Sequence, residues 1–315
     1  MLSFTPQEHW WGEARRNDIS AETEPMLLNK NKRSMRLPGF LGARLQGRSL
    51  GTENCSGVGD CLLLDLFKGF FAVADASDRN PTASRDFMKM FSKMLSGIDA
   101  LSADYFYEDE EIKSLQELIR GKAELLMKSL SFRDGCTFTG VLILKTGKGI
   151  GGLLLHTGDS FLLACDLHSG NINQLTKDNF WMVGRSQHFF QIEELHINSD
   201  TRLLLATDGF GNIPVPEGMG REEYVLKLFR SLSVDEIPDS LFERSDNLAT
   251  AWDDTAIIAI DPMAMARFPG CYIVGGTSPA EEKAFSEGKK QGIYKNQYLP
   301  CAIPADDQIN NILLL

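Results

Sequence analysis

Residues 60–75 read DCLLLDLFKGFFAVAD, two apolar runs separated by Lys68 and Gly69. Short apolar runs bounded by glycine and polar residues are typical of buried strands, so residues 61–67 and 70–74 predict a β-hairpin. A two-residue turn at Lys68-Gly69 would place Asp75 opposite Leu62, with Asp60 about two positions further out at the same open end. The hairpin is therefore predicted to carry two carboxylates on one rim of a sheet.

Similar apolar runs recur further along the chain. We predict strands over residues 138–144, 152–156, 161–167, 203–206 and 255–260. Apolar residues spaced by three and four predict helices over residues 81–95, 108–130 and 221–232. Because consecutive strands are interrupted by pairs of helices, and do not alternate with single helices, the pattern favours an α+β fold with antiparallel sheets and helices outside them.

The pattern of apolar and polar residues changes twice along the chain. Residues 1–39 show no sustained period and end in a Pro-Gly pair, so we interpret them as an N-terminal extension. Residues 40–262 hold the strand and helix patterns and are predicted to form the main domain. Residues 263–315 contain several Pro-Gly, Gly-Gly and Ser-Pro breaks and are predicted to be a C-terminal extension, in which residues 271–274 could add an edge strand.

Composition excludes several classes of protein. Hydrophobic residues make up 43% and charged residues 24% of the 315, which is typical of a globular protein and not of a disordered chain or a membrane bundle. The formal net charge of -11 argues against nucleic acid or an anionic membrane as the main partner. The charged first 25 residues and six scattered cysteines, without any C-x-x-C pair, predict a cytoplasmic protein with reduced thiols.

Five aspartates share one context, the end or beginning of a predicted strand: Asp60, Asp75, Asp159, Asp208 and Asp253. Asp208 and Asp253 would meet if their strands ran antiparallel side by side. Two like charges at about 4 Å repel by about 4 kcal/mol at an effective dielectric constant near 20, so such a cluster needs cations or protons. Carboxylate oxygens are the ligands that Mg²⁺ and Mn²⁺ prefer, so the sequence predicts a divalent metal site.

Five ordered motifs within residues 40–262 carry a family resemblance: FAVAD (71–75), GCT (135–137), HTGDS (156–160), LLLATDG (203–209) and DDTAII (253–258). In this order and spacing they resemble the metal-dependent protein serine/threonine phosphatases of the 2C type, the PPM family. The resemblance implies an α-β-β-α sandwich of two stacked antiparallel sheets flanked by helices. It also implies a hydrolase that uses two Mn²⁺ or Mg²⁺ ions to activate water, with phosphorylated proteins as substrates.

The resemblance assigns a role to each matching residue. Asp75 would bridge both ions, and the backbone carbonyl of Ala76 would be a further ligand. Asp60 would reach the second ion through water, while Asp208 and Asp253 would hold the first. Asp159 matches the ligand of a more weakly bound third ion. The resemblance therefore implies that Asp60, Asp75, Asp208 and Asp253 form the catalytic set.

Several positions depart from the family pattern. Gly59 stands where the family has an acidic residue, and Cys55 where it has the arginine that binds the substrate phosphate. Arg48 could supply that arginine if residues 52–58 are an inserted loop, and Arg79 could assist in substrate binding. The family histidine that follows the bridging aspartate by a few residues is missing, and Phe161 replaces a common arginine.

These departures leave two alternatives open. The chain could be a catalytically weak or inactive phosphatase-like module that regulates or binds. It could also be a haloacid-dehalogenase-type phosphatase with Asp75 as nucleophile, which predicts a parallel sheet. His156, three residues before Asp159, is predicted to be a structural histidine packed beside the site.

Overall fold

The computed structural model describes residues 34–47, 59–77, 80, 82–101, 107–130, 135–146, 149–248, 252–265, 268 and 270–276, the strand residues 9–10, 27–29 and 312–314, and positions 287 and 290. The strands are β1 (His9–Trp10), β2 (Leu27–Asn29), β3 (Ser34–Leu37), β4 (Leu41–Gln46), β5 (Cys61–Asp65), β6 (Phe70–Ala74), β7 (Phe138–Thr146), β8 (Gly149–Thr157), β9 (Phe161–Asp166), β10 (Ile172–Gln174), β11 (Gln191–Ile197), β12 (Thr201–Ala206), β13 (Thr255–Ile260), β14 (Cys271–Gly275) and β15 (Ile312–Leu314). The helices are α1 (Ala83–Ser96), α2 (Asp109–Ser129), α3 (Arg221–Ser231) and α4 (Ile237–Leu248), with short 3₁₀ helices at Asp208–Asn212 and Val234–Glu236.

The strands form two sheets. The first has eight strands in the order β1-β15-β14-β5-β6-β7-β8-β11, and the second has seven in the order β10-β9-β12-β13-β4-β3-β2. Every strand pair in the described residues is antiparallel. The α+β prediction is therefore confirmed, and the haloacid-dehalogenase alternative, which required a parallel sheet, is wrong.

The two sheets stack face to face with helices on both outer sides. On β5, Leu62 and Leu64 point into the core between the sheets, while Cys61 and Leu63 point toward α1 and α2. This alternation follows from the two-residue period of a strand. The second sheet repeats it, with Leu204 facing α3 and α4. The molecule is a four-layer sandwich of helices, sheet, sheet and helices.

The helices bury the apolar stripes that their sequences predict. In α1, Phe87, Met88, Phe91 and Leu95 are fully buried at helical spacing, and Gly97 ends the helix. Predicted and observed bounds of α1, α2 and α3 differ by one or two residues. The sequence analysis missed α4, β10 and β11, as well as β3 and β4, which precede β5. Strands β2, β3, β14 and β15 join the sheets from residues wholly or mostly outside 40–262, so the sandwich includes parts of both predicted extensions.

The turn of the first hairpin corrects the predicted register. Cys61 pairs with Ala74 and Asp65 with Phe70, so four residues connect the strands and the predicted pairing of Asp75 with Leu62 is wrong. The backbone N–H of Lys68 donates to Asp65 Oδ1 at 2.8 Å, and Gly69 adopts a φ of 74°, which closes the longer turn. The true register places Asp60 and Asp75 at equivalent positions beyond the last pair.

Candidate metal centre

Asp60 and Asp75 lie at the open end of the β5–β6 hairpin. The negative charge of Asp75 raises the pKa of Asp60, so the two carboxylates lie close enough to repel one another. Thr207 Oγ1 donates to Asp60 Oδ2 at 2.6 Å, while Asp60 Oδ1 is buried and has no hydrogen-bond partner. A buried oxygen without a partner loses its hydration without compensation, so this atom needs a proton or a cation.

Asp208 and Asp253 come from neighbouring strands of the second sheet. β12 and β13 pair antiparallel, as the sequence analysis required, with Ala206 opposite Ile257. The chain leaves β12 into the 3₁₀ helix that begins at Asp208, and Gly209 lies tightly against the entrance of β13. A Cβ atom on Gly209 would be 1.9 Å from the Asp254 carbonyl oxygen, so only glycine allows this approach.

Asp159 sits in the turn between β8 and β9. Gly158 has a φ of 106°, and a Cβ atom there would be 2.5 Å from Thr137 Cβ, so glycine is required for the turn. The Asp159 side chain is exposed, and its negative charge raises the pKa of Asp208. The turn therefore brings a further carboxylate to the same rim.

The pKa values show that these carboxylates repel one another. Burial raises the pKa of Asp60 and of Asp75 well above the ordinary range, and neighbouring aspartates raise both further. Partial burial and the charges of Asp159 and Asp253 raise the pKa of Asp208 to about 6. Asp159 is exposed by its surface area, yet the protein atoms around it displace enough water to raise its pKa as well. The causes of these shifts are burial and neighbouring aspartates, partly offset by hydrogen bonds, so folding brings repelling carboxylates together.

The carbonyl of Ala76 faces the same place. A Cβ atom built on Gly59 would be 2.9 Å from the Ala76 oxygen and 3.4 Å from Asp75 Oδ1, so the two oxygens flank Gly59 together. In the parts of the chain that the structure describes, no three His, Cys, Asp or Glu side chains already enclose a common point as metal ligands do. The donor set nevertheless fits a hard divalent cation, because all its atoms are oxygen and Asp60 Oδ1 is buried without a partner.

A hydrogen-bonded chain supports the Asp75 side of the rim. Asp75 N–H donates to Thr137 Oγ1 at 3.0 Å, and Thr137 N–H donates to the Asp75 carbonyl at 2.8 Å. Thr137 Oγ1 lies 2.7 Å from Ser160 Oγ. The turn that carries Asp159 is thus linked directly to the strand end that carries Asp75.

His156 continues this chain as a neutral side chain. Its Nδ1 lies 2.9 Å from Thr139 Oγ1, which donates to the Ser160 carbonyl at 3.1 Å. Its Nε2 lies 3.1 Å from the Lys177 carbonyl oxygen and 3.2 Å from Asn179 Nδ2, so both ring nitrogens have hydrogen-bond partners. Burial lowers the pKa of His156, in agreement with this neutral form. The contacts agree with the prediction of a structural histidine.

Other predicted site residues fall elsewhere. Arg48 and Arg79 lie outside the described residues, as does Cys55. Phe161 is half-buried and packs edge-on against Phe210, with ring centroids 5.4 Å apart. Sequence reasoning missed Thr207, although a hydroxyl residue that ends an apolar strand directly before Asp208 was a usable signal.

Sequence comparison gives no relative, and structural comparison gives many. No protein-family model matches the chain, and no curated protein sequence matches it. The serine/threonine phosphatase of S. agalactiae is similar at a TM-score of 0.52 and 14% identity, over 70% of this chain and 99% of that one. PppA of Pseudomonas aeruginosa, described as a key regulatory component of T6SS, is similar at 0.50 and 15%, over 71% and 98%. The catalytic domain of PstP, solved with two manganese ions, is similar at 0.48 and 18%, over 70% and 97%.

The first two of these similarities identify the fold. The chain has the fold of the 2C-type serine/threonine phosphatases, the PPM phosphatases, as its motifs predicted. The described helices include none that is long and apolar enough to span a membrane.

Proposed function

We propose that this protein is a metal-dependent phosphomonoesterase that hydrolyses phosphoserine and phosphothreonine in proteins. The observation that carries the proposal is the rim where Asp60 and Asp75, from one sheet, approach Asp208, from the other. Asp60 Oδ1 in this rim is buried without a hydrogen-bond partner, and the raised pKa values of Asp60 and Asp75 indicate a repulsion that bound cations would relieve. The fold and the motif order support the reading of this rim as a phosphatase centre.

Each aspartate has a distinct position relative to the ions. The pKa of Asp75 responds to the charges of Asp208 and Asp253, on the second sheet, and Asp75 raises the pKa of Asp60, on the first. It is therefore the residue that would bridge two ions, together with the Ala76 carbonyl. Asp208 and Asp253 would hold one ion, and Asp60 would hold the other through water. Asp159 would hold a third, weaker ion.

Two Mn²⁺ or Mg²⁺ ions, when bound, would supply the Lewis-acid activation of water and the neutralisation of the phosphate charge. The residues that would hold these ions are themselves held, since Thr207 donates to Asp60 and Thr137 accepts the Asp75 N–H. His156 does not serve as the proton donor to the leaving group, because its ring is buried and both nitrogens are hydrogen-bonded within the network.

The test is hydrolysis of p-nitrophenyl phosphate and of a phosphoserine peptide by pure protein in millimolar Mn²⁺. The proposal predicts hydrolysis that a chelator abolishes and that Asp208→Asn reduces at least about a hundredfold, because loss of a residue that only supports a metal ligand already costs about 10–100-fold. A wild-type rate no higher than that of Asp208→Asn contradicts it.

A second candidate function is a regulatory or binding module with little or no turnover. It is favoured by Phe161, which packs on Phe210 where the family commonly has an arginine, and by Gly59 in place of an acidic residue. Mn²⁺-induced stabilisation without hydrolysis of either substrate would select this candidate over the enzyme.

We propose a cytoplasmic location for either function. Four cysteines of the described residues are free thiols: Cys61, Cys136, Cys165 and Cys271. Free thiols are typical of reducing compartments. Cell fractionation with an antibody against the protein would test the location.

A further inference from the structure

Asp254 is a buried carboxylate to which the proposed metal centre assigns no role. It follows Asp253 at the entrance of β13 and is 5% exposed. Its Oδ2 atom accepts the backbone N–H of Gly59 at 2.8 Å, in a buried contact between residues 195 positions apart. Gly59 directly precedes Asp60, so Asp254 holds the backbone from which Asp60 projects.

Gly59 is also held through its carbonyl oxygen. That oxygen accepts Ser84 Oγ at 2.5 Å, from the first turn of α1, and Ala76 N–H at 3.2 Å, from the exit of β6. Gly59 is therefore the point where three segments are joined, and Asp254 supplies the only one of these contacts that comes from the second sheet.

Asp60 itself is fixed on both sides of its Cα atom. Its carbonyl accepts Gly276 N–H at 2.7 Å, and its Oδ2 accepts Thr207 Oγ1. With the Gly59 N–H and carbonyl also held, the backbone on both sides of Asp60 and its carboxyl group are fixed.

The charge of Asp254 opposes the same arrangement. Its negative charge raises the pKa of Asp60 and of Asp75, so it adds to the repulsion among these carboxylates. The bond to Gly59 needs only an oxygen acceptor at this position. An asparagine can supply that oxygen without the charge.

We propose that Asp254 is a positioning residue, which accepts the Gly59 N–H and thereby aims Asp60 at Asp75 in the metal centre. The inference rests on the proposed function, since it assigns Asp254 a part in assembling the same centre. It separates Asp254 from Asp253, whose carboxylate is proposed to contact the ion directly.

The test compares Asp254→Asn, which keeps an oxygen acceptor, with Asp254→Ala, which removes it. The first readout is hydrogen exchange of the Gly59 amide in metal-free protein, and the second is the Kd for Mn²⁺ by calorimetry. In Asp254→Ala, the Gly59 amide hydrogen is expected to exchange faster than in wild type. Mn²⁺ binding is expected to weaken about tenfold or more, the usual effect of a lost supporting contact. Asp254→Asn is expected to stay within about threefold of wild type in both.

Asp261→Ala is the matched control, because Asp261 follows the other end of β13 and also accepts backbone N–H groups, from Met263 and Ala264. It should change neither readout. Unchanged Gly59 exchange in Asp254→Ala overturns the inference, and so does equal loss of Mn²⁺ affinity in both Asp254 variants, which would make Asp254 a ligand. If Asp254→Ala does not fold, the inference is tested on Asp254→Asn, and a loss of Mn²⁺ affinity in that variant overturns it.

Failure of the proposed function is distinguishable from failure of the inference. Wild-type protein that takes up no Mn²⁺ contradicts the proposed function and the assignment of Asp254 to a metal centre, whatever Gly59 exchange shows. Wild-type protein that binds Mn²⁺, with Asp254→Ala binding it equally well, contradicts the inference alone.

Discussion

At the scale of single residues, Thr207 joins the two sheets of the metal centre. Its hydroxyl donates to Asp60 Oδ2 at 2.6 Å and accepts Ala256 N–H at 2.9 Å, so one side chain holds both Asp60 and the start of β13. Both contacts are buried. The residue therefore supports the site without being a metal ligand.

Thr207→Val keeps the shape of the side chain and removes the hydroxyl. We expect it to lower the free energy of unfolding by about 1–3 kcal/mol, because Asp60 and Ala256 each lose a buried partner, and to weaken Mn²⁺ binding about tenfold. Urea denaturation and calorimetry measure the two effects. Thr207→Ser, which restores the hydroxyl, should recover most of the Mn²⁺ affinity, and equal affinity in the Val and Ser variants would contradict the role assigned to Thr207.

Asp208 makes the metal-free protein sensitive to pH. Its pKa is about 6 in the folded state, above the value near 4 of an unfolded chain. The folded state thus binds more protons between these values, so stability is present below about pH 4 and is lost as the pH rises through about 6. The raised pKa values of Asp60 and Asp75 act in the same direction.

We therefore expect the Tm of metal-free protein to fall between pH 5 and pH 7, and to fall less in Asp208→Asn. Mn²⁺ should raise the Tm more at pH 7 than at pH 5, because ions replace protons among the carboxylates. Differential scanning calorimetry at both values, with chelator and with Mn²⁺, measures this. Identical pH dependence in wild type and Asp208→Asn would count against the repulsion described for the cluster.

At the scale of elements, the 3₁₀ helix Asp208–Asn212 sets the approach of β12 to β13. Gly209 lies against the Asp254 carbonyl and Thr255 Oγ1, whereas Gly211, two residues on, has no neighbouring atom within 4 Å of where its Cβ would be. The two glycines belong to the same short helix and differ only in what they contact.

Gly209→Ala is expected to separate Asp208 from β13 and to destabilise the fold by several kcal/mol, since backbone at 1.9 Å cannot yield without moving a strand. Gly211→Ala should be neutral within about 0.5 kcal/mol. Chemical denaturation measures the free energy of unfolding of both variants. Titration with Mn²⁺ measures metal binding in each variant that folds. Equal stability of the two variants would show that the close approach is not required.

The outer helix α1 is held by an aromatic cluster on the first sheet. Phe87 meets Phe138 edge-on at a centroid distance of 5.0 Å, and Phe91 lies 4.9 Å from Phe70. All four side chains are fully buried. The first turn of the same helix carries Ser84, which contacts Gly59, so packing of α1 and order at the rim are connected.

Phe87→Ala should lower the free energy of unfolding by about 3–5 kcal/mol through loss of buried area and creation of a cavity. Leu125→Ala, on α2, is the control, because Leu125 is 67% exposed and should contribute little. Urea denaturation measures both. A cost below about 1 kcal/mol for Phe87→Ala would mean that α1 is not held by this cluster.

Sequence patterns predicted the elements whose signal lies within a short stretch of sequence. The hairpin of β5 and β6, the strands β12 and β13 and the helices α1 to α3 follow from apolar runs and from helical spacing. The register of the hairpin did not follow, because it depends on the contact of Asp65 with Lys68 N–H, which no periodicity shows. The rim aspartates were found because each stands at a strand end.

The missed elements depend on distant partners. β3 and β4 carry Arg36 and Arg44 within otherwise buried strands, and each arginine is paired with an acid far along the chain: Arg36 with Asp235 at 2.7 Å and Arg44 with Asp239 at 3.1 Å. An arginine within a short apolar run is not typical of a buried strand, so the sequence pattern did not predict β3 and β4. In the structure, the ion pairs neutralise both arginines and allow the strands to be buried. In α4, Pro238 lies in the first turn, where proline is compatible with a helix.

At the scale of the whole molecule, the sandwich gathers four carboxylates from distant parts of the chain at one edge. Asp60 and Asp75 come from the first sheet, and Asp208 and Asp253 from the second. Neither sheet alone holds the complete set. We propose that two cations bind at this edge. They would relieve the repulsion among the carboxylates that folding brings together.

The most direct measurement is anomalous diffraction at the manganese edge from crystals of this protein grown or soaked in Mn²⁺. The account predicts two ordered ions on either side of Asp75, one near Asp60 and the other near Asp208 and Asp253. A well-ordered rim with no anomalous peak at this edge would contradict it.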